Sequence, residues 1–251
     1  MSGHSHWATI KRKKGASDAR KGQVYTRLAR EIAMAARESG GDLESNFKLR
    51  LAIEKARGQN MPKDSIDRAI KRGTGESKEG LVFEEAFYEG YAPHGVAVMI
   101  ETVTENRNRT VAEIRHMLTR SGGNMGEAGS VGWQFTRGAY FTIPAEGNDF
   151  DKLFEIAVEG GADDVSDDGD VFEISAPVEA FKKLSDALQA AKIRPIEGGL
   201  RMVPNQEIEL EVDKTLQVMR TIEGLEELDD VQNVYSTLHL SDEAIAAMES
   251  D

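Results

Sequence analysis

Residues 162–175 read ADDVSDDGDVFEIS and have the pattern of a β-hairpin. Two short segments, at 162–165 and 171–175, are predicted as β-strands. Between them lies Asp168-Gly169, a pair that favours the tight turn of a β-hairpin. The stretch therefore predicts two strands that are antiparallel neighbours in a sheet.

Two helices and two further strands are predicted around this hairpin. The apolar residues of 150–158 and of 177–191 recur at helical spacing. The runs at 137–144 and 193–203 have the composition of strands. Residues 138–203 therefore predict the order β-α-β-β-α-β, which is the split unit of ferredoxin-like domains.

The segments on either side of this unit complement each other. Residues 95–136 predict β-α-β and end in a strand at Ser130–Thr136, and residues 206–238 predict a second β-α-β that starts with a strand at Glu207–Val212. Together they predict a second βαββαβ domain, interrupted at its central hairpin by the first. A hairpin tip tolerates such an insertion because the two chain ends lie close together there.

The first 75 residues predict a small helical bundle. Apolar residues recur every three or four positions from Tyr25 to Ala36, from Leu49 to Ala56 and from Ile66 to Ile70. The segment before Tyr25 has no apolar period, so we expect it to be extended or mobile when unbound.

These patterns predict an α+β protein with an N-terminal helical bundle followed by two ferredoxin-like βαββαβ domains, one inserted in the other. The predicted divisions are a basic helical N-terminal domain at 1–75, an outer α/β domain at 76–136 with 205–240, an inserted α/β domain at 137–204, and an acidic C-terminal tail at 241–251.

The charge of the chain is divided unevenly. Residues 1–75 hold 17 Lys or Arg against 8 Asp or Glu, a net charge of +9, whereas residues 76–251 hold 14 against 36, a net charge of −22. Clustered cations bind polyanions because neutralised phosphates release condensed counterions. We therefore expect the basic head to bind nucleic acid and the acidic body to repel it. The alternative is an uneven but merely solvated surface.

The densest basic run leads into the first predicted helix. Cations there can follow a phosphate backbone, and Trp7 offers a face for stacking on a base or, alternatively, an anchor that packs on the body. A second basic spot lies in NRNRT at residues 106–110, where pairing with acids of the body is the alternative. The predicted nucleic-acid contacts are Trp7, Lys11, Arg12, Lys13, Lys14, Arg20, Lys21, Arg27, Arg30, Arg107 and Arg109.

No motif predicts catalysis or a bound cofactor. Cysteine is absent, which excludes disulfides, thiolate metal sites and cysteine nucleophiles. The glycine-rich segment 122–129 is predicted to leave a helix and enter a strand, the reverse of a phosphate-binding loop. The histidines lack the spacing of metal ligands. We therefore expect a protein that is not an enzyme and has no cofactor, metal or small-molecule substrate.

No apolar stretch approaches the roughly 20 residues needed to span a bilayer. The N-terminus MSGHSHWATIKRKK has no apolar core after its charges, unlike a secretory signal. A cytoplasmic protein without a membrane partner is therefore expected.

Four stretches closely resemble the YebC/PmpR family. They are GHSHWATIKRKKGASDARKGQVYTRLAREI, NMPKDSIDRAIKRGTG, YEGYAPHGVAVMIETVTENRNRTVAEIRHML and GGNMGEAGSVGWQF. The resemblance covers nearly the whole chain and is densest in residues 1–136. It implies three domains, a helical head plus two α/β domains, and supplies no catalytic or ligand site.

The resemblance implies a regulator of gene expression, because bacterial members are described as DNA-binding transcriptional regulators. Other members, and the mitochondrial relatives, are tied to the ribosome and translation. The leading prediction is a DNA-binding transcriptional regulatory protein that contacts phosphates through its basic head. The alternative is a ribosome-associated translation factor that contacts RNA.

Overall fold

The computed structural model of the chain describes residues 18–76 and 83–250. Its helices are α1 Asp18–Ser39, α2 Phe47–Gly58, α3 Lys63–Gly73, α4 Arg107–Arg120, α5 Phe150–Gly160, α6 Phe181–Ala190, α7 Val212–Glu226 and α8 Asp242–Ser250. Its strands are β1 Glu84–Tyr91, β2 Ala97–Thr104, β3 Asn124–Met125, β4 Phe135–Pro144, β5 Asp164–Asp167, β6 Val171–Pro177, β7 Glu197–Pro204 and β8 Val231–Ser236.

Helices α1, α2 and α3 form the predicted head and bury the apolar stripes read from the sequence, with Ile32, Leu49 and Ile66 at the centre. Helices α1 and α3 approach closely at Gly73, where an added Cβ would lie 2.2 Å from the carbonyl oxygen of Ala33. Helix α1 already begins at Asp18, so the prediction of an extended segment was wrong for residues 18–24. Arginine, lysine and glutamine have a high intrinsic helix propensity, which the spacing of apolar residues does not register.

The inner sheet has the strand order β5-β6-β4-β7, with all neighbours antiparallel. This is the order of a ferredoxin-like βαββαβ unit, so the class predicted from the hairpin is confirmed. Helices α5 and α6 cover one face, and the core contains Phe141, Leu153, Ile174, Leu184 and Leu188. The hairpin turn has Gly169 at φ +83°, a conformation that glycine adopts without strain.

The outer sheet is antiparallel and has the order β3-β1-β2-β8. Strand β1 is the antiparallel neighbour of β2 in this sheet. Glu207–Val212, which was predicted as a strand, does not form one, so that prediction was wrong. In that segment only Ile208 pairs, through an isolated bridge to Leu238. Ser130–Thr136 is likewise not an outer strand, because its last two residues begin β4. A short turn joins β1 to β2, so pairing of β2 with β1 closes a smaller loop than pairing of β2 with Glu207–Val212 would.

The outer sheet is covered on both faces. Helices α4, α7 and α8 pack on one face, around Ile100, Ile114, Val218 and Ile222. On the other face Ala97 and Met99 meet Val131 and Phe135, where the inner unit begins.

Residues 242–250, which lie within the predicted acidic C-terminal tail at 241–251, form helix α8. Its Ala244, Ile245 and Met248 are buried, and the latter two belong to the outer core. Apolar residues at helical spacing, rather than net charge, decide the position of this segment.

Candidate nucleic-acid interface

The predicted contacts fall into three groups. Trp7 and Lys11–Lys14 lie outside the described residues. The backbone at Arg20 and Lys21 belongs to the first turn of α1. The side chains of Arg27, Arg30, Arg107 and Arg109 are described and can be compared with the prediction one by one.

Arg27 and Arg30 point at the connection between α7 and β8, in the part of the chain that forms the outer sheet and its helices, which we call the outer unit. The Arg27 guanidinium donates a hydrogen bond to the carbonyl oxygen of Glu226, and Arg30 donates one to the carbonyl oxygen of Asp229. Arg30 also pairs with Asp230, with Nη2 2.9 Å from Oδ1. Only 8% of Arg30 is exposed. Arg30 therefore joins the head to the body and offers no free surface to a phosphate, a role that the basic run alone did not indicate.

Asp230 is the centre of this join. Its side chain is 1% exposed and accepts hydrogen bonds from Thr104 (3.0 Å), Thr110 (2.7 Å) and Arg109 (2.8 and 2.9 Å). Burial by itself would raise the pKa of Asp230. The hydrogen bonds from Arg109, Thr110 and Thr104, and the charge of Arg30, outweigh it and hold that pKa below its ordinary value.

Arg107 and Arg109 pair with acids of the body, as the alternative interpretation allowed. The Nε atom of Arg107 lies 2.6 Å from Oε2 of Glu84, and both side chains are more than half exposed. Arg109 pairs with Asp230 but keeps 48% of its side chain exposed. Asn106 caps helix α4 by accepting a hydrogen bond from the Arg109 backbone at 3.2 Å. Nucleic-acid contact by these two arginines stays a prediction.

Other cations of the head are exposed and were missing from the predicted set. Arg57, Lys63 and Lys71 have no ion pair within the residues that the structure describes, unlike Lys48 and Lys55, which pair with glutamates. These residues could have been found from the lysines and arginines of residues 57–72, but the cations are less dense there than in the run from Lys11 to Lys14.

Two of these cations flank the turn between α2 and α3. The hydroxyl of Tyr25 donates a hydrogen bond to the carbonyl oxygen of Asn60 in that turn, at 2.8 Å. Tyr25 lies in the N-terminal half of α1, little more than one helical turn beyond Arg20 and Lys21. The fold thus brings the N-terminal half of α1 next to the turn that Arg57 and Lys63 flank, and we call this part of the molecule the basic end of the head.

The glycine-rich segment is organised by a carboxylate of the protein itself. The side chain of Glu89 accepts hydrogen bonds from the backbone amides of Gly129, Val131 and Gly132, each at 2.7 Å. Burial would raise the pKa of Glu89, but these three amide hydrogen bonds lower it below its ordinary value. Three backbone amides at the end of the glycine-rich segment and just after it are therefore occupied by a carboxylate of the protein.

Within residues 18–76 and 83–250, no group of histidine, aspartate or glutamate side chains is arranged to hold a metal ion. No helix in the described parts of the chain combines the length and apolar character needed to cross a membrane.

Comparisons with known proteins give one family. The profile described as the TACO1/YebC protein N-terminal domain matches residues 5–76, and that described as the TACO1/YebC second and third domain matches residues 83–238. A relative from Acidithiobacillus ferrooxidans is 49% identical over 250 residues, covering 100% of this chain and 99% of its own. One from Geotalea uraniireducens is 46% identical over 248 residues, covering 99% of this chain and all of its own. Both are named "probable transcriptional regulatory protein".

A solved structure shows the same fold. It is the crystal structure of a conserved hypothetical protein from Aquifex aeolicus, 39% identical, with a TM-score of 0.80. The match covers 90% of this chain and 93% of that one.

Proposed function

This chain belongs to the TACO1/YebC family, and from that premise we propose that it regulates gene expression by binding nucleic acid through its basic head. The names of its relatives support a regulator. In the finer form of the proposal it is a cytoplasmic, non-enzymatic DNA-binding protein that acts on transcription.

The observation that carries the proposal is the basic end of the head. Arg57 and Lys63 are exposed there without ion pairs in the described structure, beside the N-terminal half of α1, and Lys71 is exposed without an ion pair near the C-terminal end of α3. The segment that precedes α1 carries Lys11–Lys14. Cations of this kind contact phosphates irrespective of base sequence, so the head supplies affinity rather than sequence selection.

A second candidate is a translation factor that contacts RNA on the ribosome. It is favoured by the net charge of −22 on residues 76–251, which is unfavourable beside a long duplex but complements basic proteins. Helix α3 also spans only 11 residues and carries exposed Asp64 and Asp67, so it is poorly suited to reading a major groove.

Salt-dependent binding tests the proposal. In the triple variant Arg57→Gln, Lys63→Gln, Lys71→Gln, the log–log salt slope of binding should flatten by about 2–3 if all three side chains contact phosphates. The matched control is Lys152→Gln, Lys182→Gln, Arg194→Gln, which removes the same charge from exposed positions of the inner unit and should leave the slope unchanged. An equal effect of the two variants would contradict a localised interface.

The two candidates differ in the nucleic acid that they bind. Crosslinking in cells followed by sequencing of bound DNA and RNA together distinguishes them. Recovery of DNA supports the transcriptional form, and recovery of ribosomal RNA supports the translational form. Recovery of neither contradicts both.

A further inference from the structure

Trp133 is the most exposed large hydrophobic side chain of the described residues, at 73%. Tryptophan at this exposure is unusual, because most of its apolar surface normally lies inside a protein. It sits in the short 3-10 helix Gly132–Gln134, where the outer unit leads into the inner one. Neither the head nor the proposed nucleic-acid interface includes it.

The exposure of Trp133 is imposed by its neighbours. Val131 is fully buried and Phe135 is 8% exposed, both in the cluster between the sheets, so the residue between them is directed outward. The preceding loop is held by the three amide hydrogen bonds to Glu89. The loop therefore presents a fixed side chain.

Trp133 offers its ring face and no polar edge. Its indole N–H already donates to the carbonyl oxygen of Ser130, at 3.1 Å. Its own carbonyl oxygen accepts a hydrogen bond from the Asn205 side chain, at 3.0 Å. A partner would therefore contact the π-face, which attracts flat groups and cations.

The chain around Trp133 is acidic. Residues 121–136, together with the segment 202–213 that Asn205 ties to it, contain five acidic residues and no lysine or arginine. Cations stand at the four ends of these segments, of which Arg201 pairs with Glu173 and Lys214 with Glu211. Glu207 pairs with His239, and Glu211 pairs with Lys214. Glu127 and Glu209 are exposed and have no ion pair within the described residues. The unpaired carboxylates of Glu127 and Glu209 favour a cation as the partner.

We infer that Trp133 is the anchor of a docking surface for a basic protein segment, which lays an arginine or lysine over the indole while Glu127 and Glu209 pair with neighbouring cations. Trp is the best aromatic partner for a cation, and Trp and Arg are the residues most enriched at the energetic centres of interfaces. This surface is separate from the basic head, so the chain would hold nucleic acid and a basic protein at different places.

The chain allows a direct optical test. It has two tryptophans, so in the variant Trp7→Phe all tryptophan emission comes from Trp133. The probe is a peptide of alternating arginine and glycine, and the control peptide alternates glutamate and glycine. Saturation with the arginine peptide should protect Trp133 from quenching by acrylamide, whereas the glutamate peptide should not.

Affinity of the labelled arginine peptide, measured by fluorescence anisotropy on the full chain, gives the second readout. Trp133→Ala should weaken binding by about twofold to fivefold, and Trp133→Phe should weaken it less. Phe154→Ala, which removes another exposed aromatic side chain, should have no effect. The pair Glu127→Gln, Glu209→Gln should weaken binding more than the pair Glu146→Gln, Glu155→Gln, which removes two exposed acids of the inner unit.

Several results would overturn the inference: no binding of the arginine peptide, binding without protection of Trp133, or equal binding by Trp133→Ala. Stronger protection by short oligothymidylate than by the peptide would show a nucleobase as the occupant. Protection that grows with protein concentration alone would show a second copy of the chain.

Discussion

Replacing Asp230 by Asn should detach the head from the body at a large cost in stability. The substitution keeps the shape of the side chain and one carbonyl oxygen that can accept from the threonines. It removes the negative charge that faces Arg30, whose side chain is only 10% exposed, and Arg109. An arginine left buried without its counter-ion is the main loss.

The magnitude follows from the burial of each partner. Breaking a buried ion pair on one side costs about 3–5 kcal/mol. The exposed half of Arg109 is screened by water, so its pair adds no more than about 1 kcal/mol. Because Asn retains some hydrogen bonds, we expect the lower end, about 3 kcal/mol, which corresponds to a fall in Tm of about 6–12 °C for a chain of this size.

The assay is thermal unfolding followed by circular dichroism, with Asp229→Asn as the control. Asp229 is the preceding residue and is exposed, and only its backbone carbonyl contacts Arg30. Asp229→Asn should leave Tm almost unchanged. Equal Tm values for Asp230→Asn and the wild type would refute the view that this carboxylate holds the head in place.

The remaining predictions concern pH, the glycine-rich loop and the division into units. Because its folded-state pKa is lowered, Asp230 stabilises the protein fully above the ordinary aspartate pKa of about 3.9, and the Tm difference from Asp230→Asn should vanish as the pH falls through the lowered value. Glu89→Gln should speed hydrogen exchange at the three amides that Glu89 binds, whereas Glu127→Gln should not; equal protection in both variants would show that Glu89 does not fix the loop. Replacing residues 138–203 by a short Gly/Ser linker should leave a cooperative thermal transition, and the excised segment should unfold cooperatively by itself, though marginally. Absence of a transition in both would mean that the two sheets share one core.

The inner unit could be predicted because its signals are local. The Asp168-Gly169 turn and two amphipathic helices fix the order of its elements without reference to the rest of the chain. The outer unit could not be completed in this way. The segment 207–212 alternates strictly between glutamate and apolar residues, whereas strand β1 does so only loosely, yet pairing in three dimensions selects β1 for the centre of the sheet.

The candidate site was predicted by charge, which does not distinguish an exposed cation from a buried one. Arg30 and Arg57 have the same chemistry, yet Arg30 is buried and Arg57 is exposed. Arg30 is buried because it pairs with Asp230, which lies 200 residues further along the chain. Trp133 could not be singled out either, because its exposure depends on the burial of Val131 and Phe135 between two sheets. The exposure of Arg30, Arg57 and Trp133 thus depends on how distant segments pack, which the local sequence does not reveal.

The central claim is that the head, and not the acidic body, binds nucleic acid. The most direct measurement compares the affinity of the full chain with that of residues 76–251 for the same labelled DNA and RNA, over a range of salt concentrations, after circular dichroism has shown the body to be folded. We expect salt-dependent binding by the full chain and almost none by residues 76–251. Binding by the body as tight as that of the full chain would contradict the account.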